Sequence, residues 1–230
     1  MTSWPSFIEV ALMLPRVLEP EIMDSPAEAR DYNNMDHERV NRAFVDDLIA
    51  AGFSGGDVLD LGTGPAQIPL EIVRRPYECR IMAADAAPAM LDRARLNIEV
   101  AGQTQVIQLS YCDAKATPYA SAMFDWVISN SLIHHLPDPE LALREAWRVT
   151  RPAGRLFFRD LLRPTSDAHC DQLVACYAAD ANEHQRAMFE KSLRAALTLD
   201  EIRDLVVALG CPADSVAPTS DRHWTWIAQR

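Results

Sequence analysis

The sequence predicts an α/β fold: a doubly wound, mostly parallel seven-stranded sheet with a C-terminal antiparallel hairpin and a helical cap insertion. Three observations carry this. Short apolar segments alternate with amphipathic helical segments through residues 36–160. Several short segments are apolar on both faces, as strands covered by two helical layers must be. Acidic residues and glycines gather at the carboxyl ends of these segments, where an open parallel sheet forms its ligand crevice.

Residues 1–34 are irregular and proline-dotted, with a short helix expected at 26–31. In DHERVNRAFVDDLIAAG, Val40, Phe44 and Leu48 recur every fourth residue and Gly52 follows, which predicts a helix of about four turns. DVLDL is the first strand. The helix after it should start late or bent, because Pro65 and Pro69 are tolerated only where amide hydrogens lack an intrahelical acceptor. CRIMAAD is the second strand. Its helix runs from Pro88 to a stop at Gly102 with Met90, Ala94 and Ile98 on one face. TQVIQLS and FDWVISN follow as strands three and four. Asp138 and Pro139 then supply a cap and a first-position proline for a helix pairing Leu143 with Trp147. GRLFFRD is the fifth strand.

Beyond Asp160 the alternation stops. Residues 166–196 read as mostly helical, with no strand inside, and are expected to cap one end of the sheet. Thr198 and Glu201 form a capping box for a helix whose stripe is Ile202, Leu205, Val206 and Leu209. The tail offers two short strands around a turn, with Trp224 and Trp226 or His223, Thr225 and Ile227 on one side. The organisation expected is one domain over 1–230, with an N-terminal lid at 1–35 and the cap at 166–196.

Composition narrows the function classes. A formal charge of -11 with no basic run longer than two residues disfavours nucleic acid, whose phosphates are gripped by clustered cations. Five cysteines without CxxC spacing suggest neither a disulfide framework nor a thiolate zinc site, which fits a reducing cytoplasm. No apolar run is long enough to span a bilayer and the start lacks a secretion signal, so no membrane insertion is expected. Homodimerisation is carried as an option.

The polar strand ends carry the chemistry: Asp60 with Gly62 and Gly64, then Asp85, then Cys112 and Asp113, then 129–135, then Asp160. A dinucleotide fingerprint would need glycine at 67, where Gln67 stands, and would set Asp60 awkwardly beside a diphosphate. A ligand with an ammonium and a sulfonium instead gains from Asp60, while Asp85 can accept both hydroxyls of a ribose. Asp113 can accept from an exocyclic adenine amine, with the Cys112 and Ala114 backbone near the ring. Capping of local turns is the alternative for each aspartate.

VLDLGTGPAQ, IMAADAAPAML, LSYCDAKATPYASAMFDWVISNSLIHHL and VTRPAGRLFFRD together resemble the class I S-adenosylmethionine-dependent methyltransferases, in the small-molecule group that contains the ubiquinone/menaquinone enzymes. The resemblance implies S-adenosyl-L-methionine as cofactor and a small-molecule methyl acceptor as partner. It places Asp60 and Gly62 at the methionine part, Asp85 at the ribose, Asp113 at the adenine amine, and Asn130 and Ser131 near the methyl. Thr63, Gly64, Gln67, Ala86 and Met90 complete the expected cofactor contacts. Tyr32 would close the pocket from above. Ala66 replaces the third glycine of the first motif and Ala153-Gly154 the usual glycine pair, so a slightly displaced helix start is expected.

His134 and His135 are the only histidine pair and could take a proton from the acceptor, with Tyr32 a third candidate for the chemistry. Satisfied polar residues facing the cap are the alternative. Joining the pair with His169 and Cys170 as metal ligands lacks supporting spacing, and no metal is expected. Arg159, Arg163, Arg186 and Arg194 could select an anionic acceptor or form a solvated face. The rival functions are a protein that binds the cofactor without methyl transfer and a nicotinamide-dependent dehydrogenase.

Overall fold

The structure is a computed structural model that describes residues 14–19 and 38–230. The expected helix at 26–31, and Trp4 and Tyr32, lie outside the described residues. The described elements are α1 (Glu38–Ala50), β1 (Gly56–Leu61), α2 (Gln67–Val73), β2 (Cys79–Asp85), α3 (Pro88–Val100), β3 (Ile107–Tyr111), β4 (Phe124–Asn130), α4 (Pro139–Val149), β5 (Thr150–Leu161), α5 (Asp167–Tyr177), α6 (Glu183–Ala195), α7 (Leu199–Ala208), β6 (Val216–Pro218) and β7 (His223–Gln229).

The seven strands lie in the order β3-β2-β1-β4-β5-β7-β6. Strands β1 to β5 are parallel, and β7 runs antiparallel to both β5 and β6. Chain order reverses between β1 and β4, so a crevice opens at the carboxyl ends of those strands.

Alternation along each strand feeds two cores, one on each side of the sheet. Val58, Ile81, Ala83, Trp126, Ile128 and Phe157 pack with Phe44, Leu48, Ile72, Ala94 and Ile98 of α1 to α3. Their neighbours Leu59, Leu61, Ala84, Val127, Leu156 and Phe158 pack with Leu143, Ala146, Ile202 and Val206 of α4 and α7. Each fully buried Leu, Ile or Phe in these layers contributes about 2 kcal/mol through the area it removes from water. In β7, Trp224, Thr225 and Trp226 are all buried, because this strand lies inside the sheet and both faces are covered.

Several elements depart from their expected bounds. β3 begins at Ile107 because residues 104–106 still form the turn after α3. α2 starts at Gln67, after Ala66 turns through φ +60°, which accounts for the late start that Pro65 and the missing glycine imply. Pro139 occupies the first turn of α4, but the Asp138 side chain makes no cap there. Thr198 and Glu201 form the expected capping box. α5 and α6 fill the segment read as helical.

β5 begins four residues before the expected start, with a register shift against β4. Gly154 is demanded there: a Cβ would lie 2.9 Å from the Arg151 carbonyl and 3.0 Å from that of Asp125. Its neighbour Ala153 is exposed and held at φ +64°, in the left-handed region that disfavours a Cβ.

The arginines read as an anion site or a solvated face each have partners within the chain. Arg159 reaches Asp47 and Thr225, Arg163 reaches Glu201, Arg186 binds the Ala178 and Ala179 carbonyls, and Arg194 pairs with Glu190 and Asp167. All five cysteines are free thiols. Among the described residues no helix is long and apolar enough to cross a membrane.

Replacing Ala153 by glycine removes the left-handed strain at an exposed site, so Ala153→Gly is expected to raise the unfolding free energy by about 1 kcal/mol in urea titration. An unchanged or lower midpoint would show that the backbone is unstrained there.

Candidate active site

A cavity of about 830 Å³ opens at the carboxyl ends of β1, β2 and β4. It is large enough for a ligand of cofactor size, and α5 and α6 form much of its far wall through Tyr177, Met188 and Phe189. Every cofactor residue named from the sequence within the described residues lines it: Asp60, Gly62, Thr63, Gly64, Gln67, Asp85, Ala86, Met90, Cys112, Asp113, Ala114, Asn130 and Ser131.

Asp60 faces inward one residue before the end of β1 and is 2% exposed. Burial pushes its carboxyl up to about 7; the Thr63 hydroxyl pulls it down and the Asp85 charge pushes it further up. The carboxylate is thus half-ionised near neutrality, and a cation in the cavity would favour its charged form.

Asp85 ends β2. One carboxylate oxygen accepts from the Gly64 amide at 2.8 Å and the other from the Ala87 amide at 2.9 Å. The residue ties the glycine turn to the start of α3, and the Ala86 amide also donates to it. Burial raises its pKa against these amide bonds. Gly62 stands at φ +71° with Leu132 packed against it, 3.0 Å or less from where a Cβ would be, so the turn lies close under the loop after β4. Asp113 is half-exposed, accepts from the Lys115 amide and pairs with the Lys115 ammonium at 3.3 Å.

After β4 the chain turns sharply at Ser131, with φ +59°, and enters a short 3-10 turn at Ile133–His135. Asp160, near the end of the adjacent β5, holds that turn. It accepts from the Ile133 amide at 2.5 Å and the His134 amide at 3.2 Å, and its other oxygen lies 2.5 Å from His134 Nδ1. Burial opposes both charges, yet the pairing prevails: the Asp160 carboxyl is held below its usual range and the His134 imidazole above its own. His134 and His135 are both buried and both line the cavity.

Two charged or titratable neighbours have no sequence signal. Glu19, from the proline-dotted segment, lies 3.2 Å from His135 Nδ1 and is fastened by the Ser192 hydroxyl. The same segment is anchored by Arg16, which donates to the Ala195, His134 and Leu136 carbonyls. His223, read only as part of a strand alternation, lines the cavity; burial and then Arg222 push its pKa down to about 4, so it stays neutral. His169 instead meets Thr165, and Cys170 packs with Leu161 and Leu173, so neither joins the histidine pair. Cys176 is exposed and lines the cavity.

Residues 59–158 match a family model described as a methyltransferase domain. The chain is 28% identical over 180 residues to 27-O-demethylrifamycin SV methyltransferase of Amycolatopsis mediterranei, covering 77% of this chain and 62% of that protein. It is 36% identical over 110 residues to demethylmenaquinone methyltransferase of Deinococcus radiodurans, covering 47% of this chain and 44% of that protein. The chain therefore spans less than two thirds of either relative. A crystal structure of a SAM-dependent methyltransferase from Aquifex aeolicus shares the fold at 16% identity, with a TM-score of 0.66 over 89% of this chain and 98% of that one. The strand order, the aspartates at the strand ends and the matched segment agree: residues 59–158 resemble a methyltransferase domain, set in a fold shared with the SAM-dependent methyltransferase of Aquifex aeolicus.

Proposed function

We propose that this protein transfers the methyl group of S-adenosyl-L-methionine to a small-molecule acceptor. The observation that carries the reading is the pair Asp60 and Asp85, inward-facing at the ends of adjacent strands and lining one cavity with the apolar wall of α5 and α6. Bound there, the cofactor supplies a methyl group made electrophilic by a positively charged sulfur.

The residues divide the work by position. Asp60 meets the cationic methionine end, where its own ionisation depends on a positive neighbour. Asp85 accepts the ribose hydroxyls alongside its amide bonds. Asp113 and the backbone of Cys112 and Ala114 border the adenine. Asn130 and Ser131 lie at the methyl, with Gly62, Thr63, Gly64, Gln67, Ala86 and Met90 shaping the floor. Tyr32, outside the described residues, is assigned to the cofactor by the resemblance alone, and α1 contributes Val40 and Asn41 to the cavity. Catalysis is then mainly placement: the acceptor is held in line with the sulfur and water is excluded by Met188 and Phe189. His134 and His135 stand at the acceptor end. Asp160 fixes the His134 ring through Nδ1, so Nε2 is the nitrogen left to act on the acceptor or on a group bound beside it.

The protein is accordingly read as cytoplasmic, acting on a small molecule and not on nucleic acid. The two relatives' names give 27-O-demethylrifamycin SV and demethylmenaquinone as their methyl acceptors. The apolar wall of this cavity suits an acceptor of that general kind.

Removing the ribose acceptor in Asp85→Ala should weaken S-adenosylhomocysteine binding by at least about tenfold in calorimetry, the loss expected for hydrogen bonds to a charged group. Unchanged affinity in a variant that melts like the parent would contradict the ribose role.

The Asp60 carboxyl near 7 gives a sign to pH dependence. A cation favours the ionised form, so binding releases a proton and affinity for S-adenosylmethionine should rise between pH 6 and 7.5, by less than about tenfold per pH unit. Asp60→Asn should flatten that slope and lower affinity; a slope that persists in this variant would assign the titration to another group.

A further inference from the structure

Three side chains at the acceptor end of the cavity have a geometry that methyl transfer by itself does not require. Glu19 Oε1 lies 3.5 Å from His134 Nε2 and 3.2 Å from His135 Nδ1. One nitrogen from each imidazole and one carboxylate oxygen fall within 4.8 Å of one another. A tetrahedral ion with bonds of about 2.0–2.2 Å to nitrogen and carboxylate oxygen sets its ligand atoms about 3.3 Å apart. Two of the three edges already have that length.

The protonation pattern points the same way. Asp160 accepts from three backbone amides, those of Ile133, His134 and Leu161, and faces His134 Nδ1 at 2.5 Å, so that nitrogen carries the hydrogen it donates. Nε2 is then a lone pair directed at a carboxylate oxygen. Two acceptors 3.5 Å apart in a buried site need either a proton between them, on Nε2 or on the Glu19 carboxyl, or a cation shared by both. A carboxylate behind one imidazole nitrogen, with the other nitrogen facing further donors, is the arrangement that orients histidine ligands on metals.

We propose that Glu19, His134 and His135 bind a divalent transition-metal ion of the zinc type, with its remaining position open to the cavity that the two histidines line. Two imidazoles and one carboxylate suit zinc and its first-row neighbours; magnesium and calcium prefer all-oxygen sets. Glu19 belongs to the segment that Arg16 and Ser192 fasten to α6, so the metal would also pin that segment to the turn after β4. An acceptor hydroxyl or thiol coordinated at the open position loses its proton to water near neutral pH. That last use rests on the methyl-transfer reading; the metal site does not.

The test is calorimetric titration of the chelator-treated full chain with Zn2+, and with Co2+ followed by visible absorption. One Zn2+ per chain is expected, with cobalt bands of a four-coordinate site. Glu19→Ala and His135→Ala should each weaken zinc binding at least tenfold. Asp160→Asn, which removes the orienting carboxylate, should weaken it about tenfold. His169→Ala should bind as the parent does. Titration of each variant with S-adenosylhomocysteine reports separately on the fold and the cofactor site: zinc binding without that ligand would leave the metal site standing and sink the methyl-transfer reading. Absence of saturable zinc binding, or zinc affinity unchanged in Glu19→Ala and His135→Ala, would overturn the metal site and identify the contact as an imidazolium-carboxylate bond. Loss of binding in His169→Ala would overturn it as well.

Discussion

The structure turns on how negative charge is buried at the open end of a parallel sheet. Three strands carry aspartates at their carboxyl ends, Asp60 and Asp160 buried and Asp85 half-buried, and each is stabilised differently. Asp85 is held by backbone amides of the turn and helix it joins. Asp160 is held by a histidine and by amides of the 3-10 turn. Asp60 has only the Thr63 hydroxyl to lower its pKa, while burial and the Asp85 charge raise it. That imbalance makes the crevice a place for a cation, because a buried carboxylate without a compensating positive charge shifts toward its neutral form.

The opposite end of the sheet shows what compensation looks like when no ligand is involved. Asp57 and Asp125 are bridged by Arg151, and Asp57 also takes Arg80. The Asp125 carboxyl falls below its usual range: burial is the largest single influence and raises it, but the Asp57 amide, Arg151 and Arg80 together outweigh it. Both ends carry aspartates on β1, yet only the end at Asp60 leaves one without an arginine. The same contrast explains why the arginines of β5 do not serve the cavity. Arg159 lies over Phe44 and Phe157 and pairs with Asp47, tying α1 to the sheet on the side away from the crevice.

The cofactor half of the site was legible because its residues are contiguous with the strands that position them. Once β1, β2 and β4 are recognised by their apolar runs, Asp60, Asp85 and Asn130 follow from the rule that parallel strands present their carboxyl ends to ligand. The acceptor half was not. Glu19, His134 and Asp160 come together only because β4 and β5 are neighbours and the segment 14–19 crosses the end of α6. No spacing along the chain encodes that. His223 was masked by its strand: in β7 both faces are buried, so alternation could not reveal which residue meets the cavity. The arginines were left between two readings, an anion site and a solvated face, because only the packed structure reveals Asp47, Glu201 or a carbonyl as a partner.

The central claim is that Asp60 is a buried carboxylate waiting for a cation. Carboxyl-carbon NMR titration of the full chain, with Asp60→Asn to assign the resonance, measures it directly. A midpoint near 7 in the free protein that falls below neutrality on saturation with S-adenosylmethionine is the predicted result. An ordinary carboxylate midpoint in the free protein, or one that the ligand leaves in place, would contradict it.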